Sequence, residues 1–270
     1  MNAGLQSTAA ALLGAAQDGS SVLEARAIVR SFGGVNAVDG VDLQIHPATV
    51  TGIIGPNGAG KSTLLHVLAG SIHPSSGTVL MRGRDITRLS SHRRAHSGLI
   101  RTYQISSEFR RLTVLENLLV AATDQRGEQF RVLLLGKRWW RRQEEANVAR
   151  AWDLLARFGL VDLANEYAGE LSGGQRRLVE IMRALMAEPK ILLLDEPMAG
   201  VNPTMARTVE GHLRELGQEG IAMVIVEHEL AVLGRLCERV VVMASGKVIA
   251  DGPMAEVRAR QEVIDAYVIG

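Results

Sequence analysis

The chain has 270 residues, 47% apolar and 22% charged, and its formal net charge is +1. That length can bury one large core, or a core with a smaller subdomain, and the charge gives no whole-molecule case for nucleic-acid binding. A lone cysteine, Cys237, excludes an internal disulfide and reads as a small buried apolar residue rather than a nucleophile. No apolar run approaches the roughly 18 residues that a membrane span needs.

The opening MNAGLQSTAAALLGAAQDGSS, residues 1–21, has no basic stretch before its short apolar patch. It is expected to be a disordered tail rather than a signal peptide, with the chain cytoplasmic or on the cytoplasmic side of a membrane it does not cross. Short apolar runs then alternate with helical patterns, which predicts an α/β fold around a largely parallel sheet. Phe32, in RSFGG after the first apolar segment, is either a stacking platform for a purine or plain core. Val50 to Ile54 predicts a buried strand, and GPNGAGKST follows it as Gly55 to Thr63. This is G-x-x-x-x-G-K-S between a strand and a helix, the place where glycines let backbone N–H groups curl round phosphate oxygens. In it Lys61 would reach the β- and γ-phosphates, Ser62 would ligate Mg²⁺ and Thr63 would touch the α-phosphate.

Between about His96 and Gly169 strand signals give way to helical ones, which suggests an inserted helical subdomain. From Arg126 to Arg142 it carries six basic residues (Arg126, Arg131, Lys137, Arg138, Arg141, Arg142) against one acid, Glu128, with Trp139 and Trp140 among them. Three readings stay open for this stretch: a solvated face with local core, a contact with lipid or a membrane partner, or stacking on single-stranded nucleic acid. ELSGGQRRLVEIMRAL, Glu170 to Leu185, has a glycine-rich entry, and Gln175, Arg176 and Arg177 are expected to open its helix. Leu178, Ile181, Met182 and Leu185 fall on one face. Such an entry is a second anion site.

ILLLDEP, Ile191 to Pro197, is a buried strand ending in two acids. Asp195 would hold the Mg²⁺ shell, and Glu196 would polarise an attacking water as general base; the bland alternative is a pair of solvated loop charges. Asn202-Pro203 predicts an N-cap and first helical residue, with the helix running to about Leu216 and ended by Gly217. Ala222 to Val226 predicts another strand, ending in Glu227-His228, so His228 sits at the sheet edge where α/β folds bind ligands and would donate to the γ-phosphate. Val240 to Met243 and Val248 to Ala250 predict a hairpin, followed by two weaker helical patterns to Gly270. The base is expected to be adenine, because the Asn-Lys-x-Asp pattern for guanine is missing.

Taken in order and spacing, Phe32, GPNGAGKST, Gln104, LSGGQ, ILLLDE and His228 resemble an ATP-binding cassette (ABC) ATPase, from about Val22 to the C-terminus. The resemblance implies a P-loop fold with a mainly parallel core sheet, a small antiparallel β part and a helical subdomain. Expected boundaries are a tail at 1–21, the ATPase domain at 22–252 with its helical subdomain at about 96–169 and an insert at about 124–145, and a helical tail at 253–270. It makes ATP and Mg²⁺ the expected cofactors. Phe32 becomes the adenine-stacking aromatic, and Gly55, Pro56, Asn57, Gly58, Ala59, Gly60, Lys61, Ser62 and Thr63 the nucleotide cradle. Gln104 becomes the sensor of Mg²⁺ and of the attacking water, and Ser172, Gly173, Gly174 and Gln175 the loop that caps the γ-phosphate held by another subunit. That last role explains two anion sites in one chain.

AGVN, Ala199 to Asn202, departs from the family by ending in neutral Asn202 where many members have aspartate. GLIRTYQISSEFRRLTVLENLLVAA (Gly98 to Ala122), AGVNP and VIDAYVIG are similar to the branched-chain amino acid uptake ATPases. That branch implies a second ATPase subunit, integral membrane permeases, an indirect periplasmic substrate-binding protein, no nucleic acid, and a peripheral place on the cytoplasmic face of the inner membrane. The rivals are a lipopolysaccharide-type exporter ATPase, whose FRRLTVLENL-like segment looks similar, a soluble ABC protein of repair or translation, and a small-molecule kinase. The last has no use for LSGGQ.

Overall fold

The computed structural model describes residues 21–102, 109–122 and 137–269. They group into two compact units: one is formed by the described residues up to Arg101 with Lys190–Ala199 and Glu210–Gly270, the other by Thr102–Pro189 with Gly200–Val209.

The first unit holds two sheets. Strands β1 (Leu23–Phe32), β2 (Val35–Ile45), β4 (Ser76–Met81) and β5 (Arg84–Asp85) form an antiparallel sheet in the order β2-β1-β4-β5. The second sheet runs β10-β9-β3-β8-β7-β6, from β3 (Val50–Ile54), β6 (Leu99–Arg101), β7 (Ile191–Asp195), β8 (Ala222–Val226), β9 (Arg239–Ala244) and β10 (Lys247–Gly252). Its pairings are parallel except that of β10 with β9. All five residues of β3 and of β8 are buried, as expected of parallel strands covered on both faces. The predicted strands Val50–Ile54 and Ala222–Val226 match the structure, and within ILLLDEP the strand expected over Ile191–Leu194 runs one residue further, to Asp195, as β7. The hairpin turns at Ser245 and Gly246, both at positive φ, the geometry that matches strand twist in a two-residue turn.

The helix α1 (Lys61–Ala69) follows the glycine-rich loop and is buried along Leu64, Leu65, Val67 and Leu68. Its C-terminal end is closed by Arg94, a fully buried residue on α2 (Ser91–His96). The Arg94 guanidinium donates to the carbonyls of Val67, Leu68, Thr87 and Leu89, and burial pushes its pKa down to about 10.

The second unit is helical. Helices α3 (Val114–Val120), α4 (Lys137–Arg157) and α5 (Gly173–Met186) pack pairwise. Thr113 and Glu116 form a capping box on α3, and buried Asn117 donates to the carbonyls of Phe109 and Thr113, both at 2.9 Å.

Three expectations need correction. The stretch beginning at His96 contains a strand, β6, whose three residues are too few to show a period; only pairing with β7 identifies it. Helix α6 (Pro203–Gln218) runs through Gly217. A Cβ at Gly217 would lie 3.1 Å from Val50 Cγ2 and 3.3 Å from Met223 Cε, so that glycine serves close packing. The helix is instead closed by Gly220 at φ +97°, with Ile221 N–H returning to the Leu216 carbonyl. Helix α5 starts at Gly173, two residues before the expected opening. The predicted tail at 1–20, Gln104, and the insert residues up to 136, including Arg126, Glu128 and Arg131, lie outside the described residues. Lys137 to Arg142, with both tryptophans, begin α4.

Candidate active site

Strand β3 delivers the chain to Gly55, and its backbone geometry explains two of the loop glycines. A Cβ on Gly55 would lie 2.0 Å from the Met243 carbonyl oxygen, and one on Gly60, at φ +97°, would lie 2.2 Å from that of Ala37. Both obstacles are backbone. The hairpin turn is tied to this loop, since Gly246 N–H donates to the Ala59 carbonyl and Gly246 accepts from Asp39 N–H. Gly60 caps α1 with no side-chain hydrogen bond, which leaves the helix start open to an anion.

Lys61 is buried, and its ammonium donates to the Gly55 and Pro56 carbonyls at 2.7 and 2.9 Å. Burial lowers its pKa, opposed by the negative charges of Glu196 and Asp195. These three predicted residues therefore share one electrostatic neighbourhood. Ser62 is exposed and Thr63 half-buried at the helix start.

Asp195, the last residue of β7, accepts from Arg101 Nη2 at 2.8 Å through Oδ2. Its Oδ1 is out of solvent and accepts no hydrogen bond among the described residues, an orphaned carboxylate oxygen that suits a cation. No cluster of three His, Cys, Asp or Glu able to hold a metal occurs among the described residues. One carboxylate and one hydroxyl beside a phosphate cradle is nevertheless the donor set expected for Mg²⁺, which keeps water and phosphate oxygens as its other ligands.

Glu196 departs from the β7 path at φ +47°, a left-handed conformation that costs a non-glycine residue about 1–2 kcal/mol. Its Oε1 lies 2.6 Å from His228 Nε2, so two residues 32 apart in sequence meet at the sheet's edge. Glu196 N–H donates to the Val226 carbonyl. Glu227, between Val226 and His228, is buried and accepts from Met198 N–H at 2.8 Å. Burial raises the Glu227 pKa, against the lowering effect of the backbone N–H groups of Met198 and His228.

Phe32 is 47% exposed, which rules out plain core, and the Arg30 guanidinium lies 4.5 Å from its ring centroid. In the helical unit, Ser172 accepts from Gln175 N–H and Gln175 Oε1 accepts from Ser172 N–H, a complete capping box. Gly173 and Gly174 have a packing reason of their own: a Cβ on either would meet the Gly200 carbonyl oxygen at 2.9 Å or Met205 Cγ at 2.2 Å. Asn202 accepts from Met205 N–H at 2.9 Å and so caps α6, as expected from Asn-Pro.

Sequence reasoning missed Arg101, Glu227 and Arg94. Glu227 had a signal, a carboxylate directly after five apolar strand residues and directly before the singled-out histidine. Arg101 and Arg94 are ordinary surface-type residues in sequence, and only tertiary structure buries them.

The ABC transporter family matches residues 38–199. The "Probable branched-chain amino acid transport ATP-binding protein LivG" of Methanocaldococcus jannaschii is 39% identical over 93% of this chain and 99% of its own length. The high-affinity branched-chain amino acid transport ATP-binding proteins BraF of Pseudomonas aeruginosa and LivG of Escherichia coli are each 35% identical over 91% of this chain and 97% of their own. The crystal structure of a nucleotide-free ATP-binding cassette from an ABC transporter superposes with a TM-score of 0.81 at 38% identity, covering 92% of this chain and 99% of that one. An ADP conformation of such a cassette is equally similar, with the same TM-score, identity and coverage. The chain belongs to the ABC transporter family and is a nucleotide-binding ATPase of the ATP-binding cassette fold.

Proposed function

We propose that this chain is the ATP-hydrolysing subunit of an importer for branched-chain or related amino acids, held at the cytoplasmic face of the membrane by its permease. The supporting observation is the 35–39% identity, over more than nine-tenths of the chain, to proteins named for branched-chain amino acid transport. No helix among the described residues is long and apolar enough to cross a membrane.

In this reading the N–H groups from Gly58 to Thr63 and the Lys61 ammonium hold the triphosphate, and Phe32 stacks on adenine by one face. Ser62 and Asp195 are the residues that would hold Mg²⁺, which supplies charge neutralisation on the β- and γ-oxygens when bound. Glu196 takes the proton of the attacking water as its oxygen bonds to the γ-phosphorus and the bond to the departing ADP oxygen breaks. His228 meets Glu196 through Nε2 and fixes that carboxylate, and the same N–H would turn to the γ-phosphate when nucleotide is bound. The loop Ser172–Gln175 of a second subunit, a copy of this chain or a paralogue, closes the open side of the triphosphate. ATP then joins the two subunits, and hydrolysis releases them.

The test is reconstitution of the chain with its permease and substrate-binding protein in vesicles. Leucine, isoleucine or valine should stimulate ATP turnover and be taken up in proportion to it. Permease-containing membranes that neither retain the chain nor change its ATPase would refute the transport reading.

A further inference from the structure

We propose that Glu227 is a positioning residue for hydrolysis, which holds Glu196 and His228 in register through the backbone bond it accepts from Met198, on the segment that follows Glu196. The inference rests on the reading of Glu196 as general base and goes beyond it.

Three bonds define the arrangement. The Glu227 carboxylate accepts the N–H of Met198, two residues after Glu196, at 2.8 Å. Glu196 N–H donates to the Val226 carbonyl, and Glu196 Oε1 meets His228 Nε2 at 2.6 Å. The strand end 226–228 and the segment 196–198 are thereby joined at three levels, with Glu227 supplying the only side chain in the two backbone links. A fully buried carboxyl is costly unless it has a task that apolar residues cannot perform. Here the task is visible: Glu196 sits at φ +47°, where an unrestrained residue relaxes away, and strain of this kind persists only where surrounding bonds over-determine it. Glu227 itself faces no phosphate and carries no proton in the reaction. It acts through the residues that do.

Replacing Glu227 by Leu keeps the volume near that of the original side chain and removes the acceptor for the Met198 N–H. A catalytic group misplaced by about 1 Å costs on the order of 100-fold in rate. Glu227→Leu should therefore lower the single-turnover hydrolysis rate about 100-fold. Affinity for ADP and ATP should stay within about twofold, because the nucleotide cradle is untouched. Glu227→Gln keeps an amide oxygen for the Met198 N–H but loses the charge that strengthens the bond, so its rate should fall between wild type and Glu227→Leu.

The decisive arm is the same substitution made on Glu196→Gln. If Glu227 acts through Glu196, adding Glu227→Leu there changes the residual rate less than about twofold, since coupled residues are not additive. Circular dichroism and ADP binding confirm that each variant is folded, and the Gln variant carries the test if the Leu variant is not. A rate loss in Glu227→Leu matched by an equal loss of nucleotide affinity, an unchanged rate in folded variants, or a full additive loss on Glu196→Gln each overturns the proposal. Failure of the underlying reading looks different: Glu196→Gln alone would then hydrolyse ATP normally.

Discussion

Arg94→Met tests whether the C-terminal end of α1, the helix after the glycine-rich loop, is held as the structure indicates. The guanidinium gives four hydrogen bonds, to Val67 at 2.8 Å, Leu68 at 2.7 Å, Thr87 at 2.9 Å and Leu89 at 3.1 Å. Two of those carbonyls keep another contact when it goes: Val67 accepts from Gly70 N–H, and Thr87 lies 3.3 Å from His73 Nδ1. The Leu68 and Leu89 carbonyls lose a charged donor inside the protein, at about 1–3 kcal/mol each. The positive charge at the C-terminal end of α1, favourable to its dipole by up to about 1 kcal/mol, is lost as well. The sum is about 2–7 kcal/mol, which spans the range for breaking a buried charged network. At about 2–4 °C per kcal/mol for a unit of this size, nucleotide-free Arg94→Met should melt about 4–28 °C below wild type by circular dichroism. Arg94→Lys keeps the charge without the fork and should fall between the two. Melting of Arg94→Met within about 2 °C of wild type would refute the assignment of these bonds as a structural clamp.

Two further outcomes can be checked directly. Gly58 and Gly60 both have positive φ, but a Cβ meets nothing within 4 Å at Gly58 and the Ala37 carbonyl at 2.2 Å at Gly60. Gly58→Ala should cost about 1–2 kcal/mol by strain alone, whereas Gly60→Ala should lower the melting temperature further and abolish ADP binding; equal melting curves would contradict the geometry. Burial pushes the Cys237 thiol up to about 12, so at pH 8 its thiolate fraction is on the order of 1 in 10,000. Iodoacetamide should label it at least about 100-fold more slowly in the native state than in urea, and equal rates would place it on the surface.

The glycine-rich loop, the two strand-end acids and the edge histidine stand out in the sequence because each belongs to a local pattern at a fixed place. Gly55 to Thr63 follows a buried strand, and Asp195, Glu196 and His228 close apolar runs of five or fewer residues. The Glu196–His228 contact was foreseen only as membership of one site, because pairing across 32 residues is decided by the order of β7 and β8 in the sheet. Gly217, Gly173 and Gly174 were read by propensity, as a helix stop and a bare loop, while packing against Val50, Met205 and the Gly200 carbonyl fixes them. The three-residue β6 had no period to read. Glu227 and Arg94 had the polarity of surface residues, and their burial follows from acceptors and donors supplied by distant segments.

The most direct test of the account is the hydrolysis rate of Glu196→Gln with saturating ATP and Mg²⁺. The account predicts unchanged ATP binding, turnover reduced at least about 100-fold, the range for loss of a general base, and ATP-dependent accumulation of a dimer, alone or with the paralogous subunit. Turnover at the wild-type rate would contradict it.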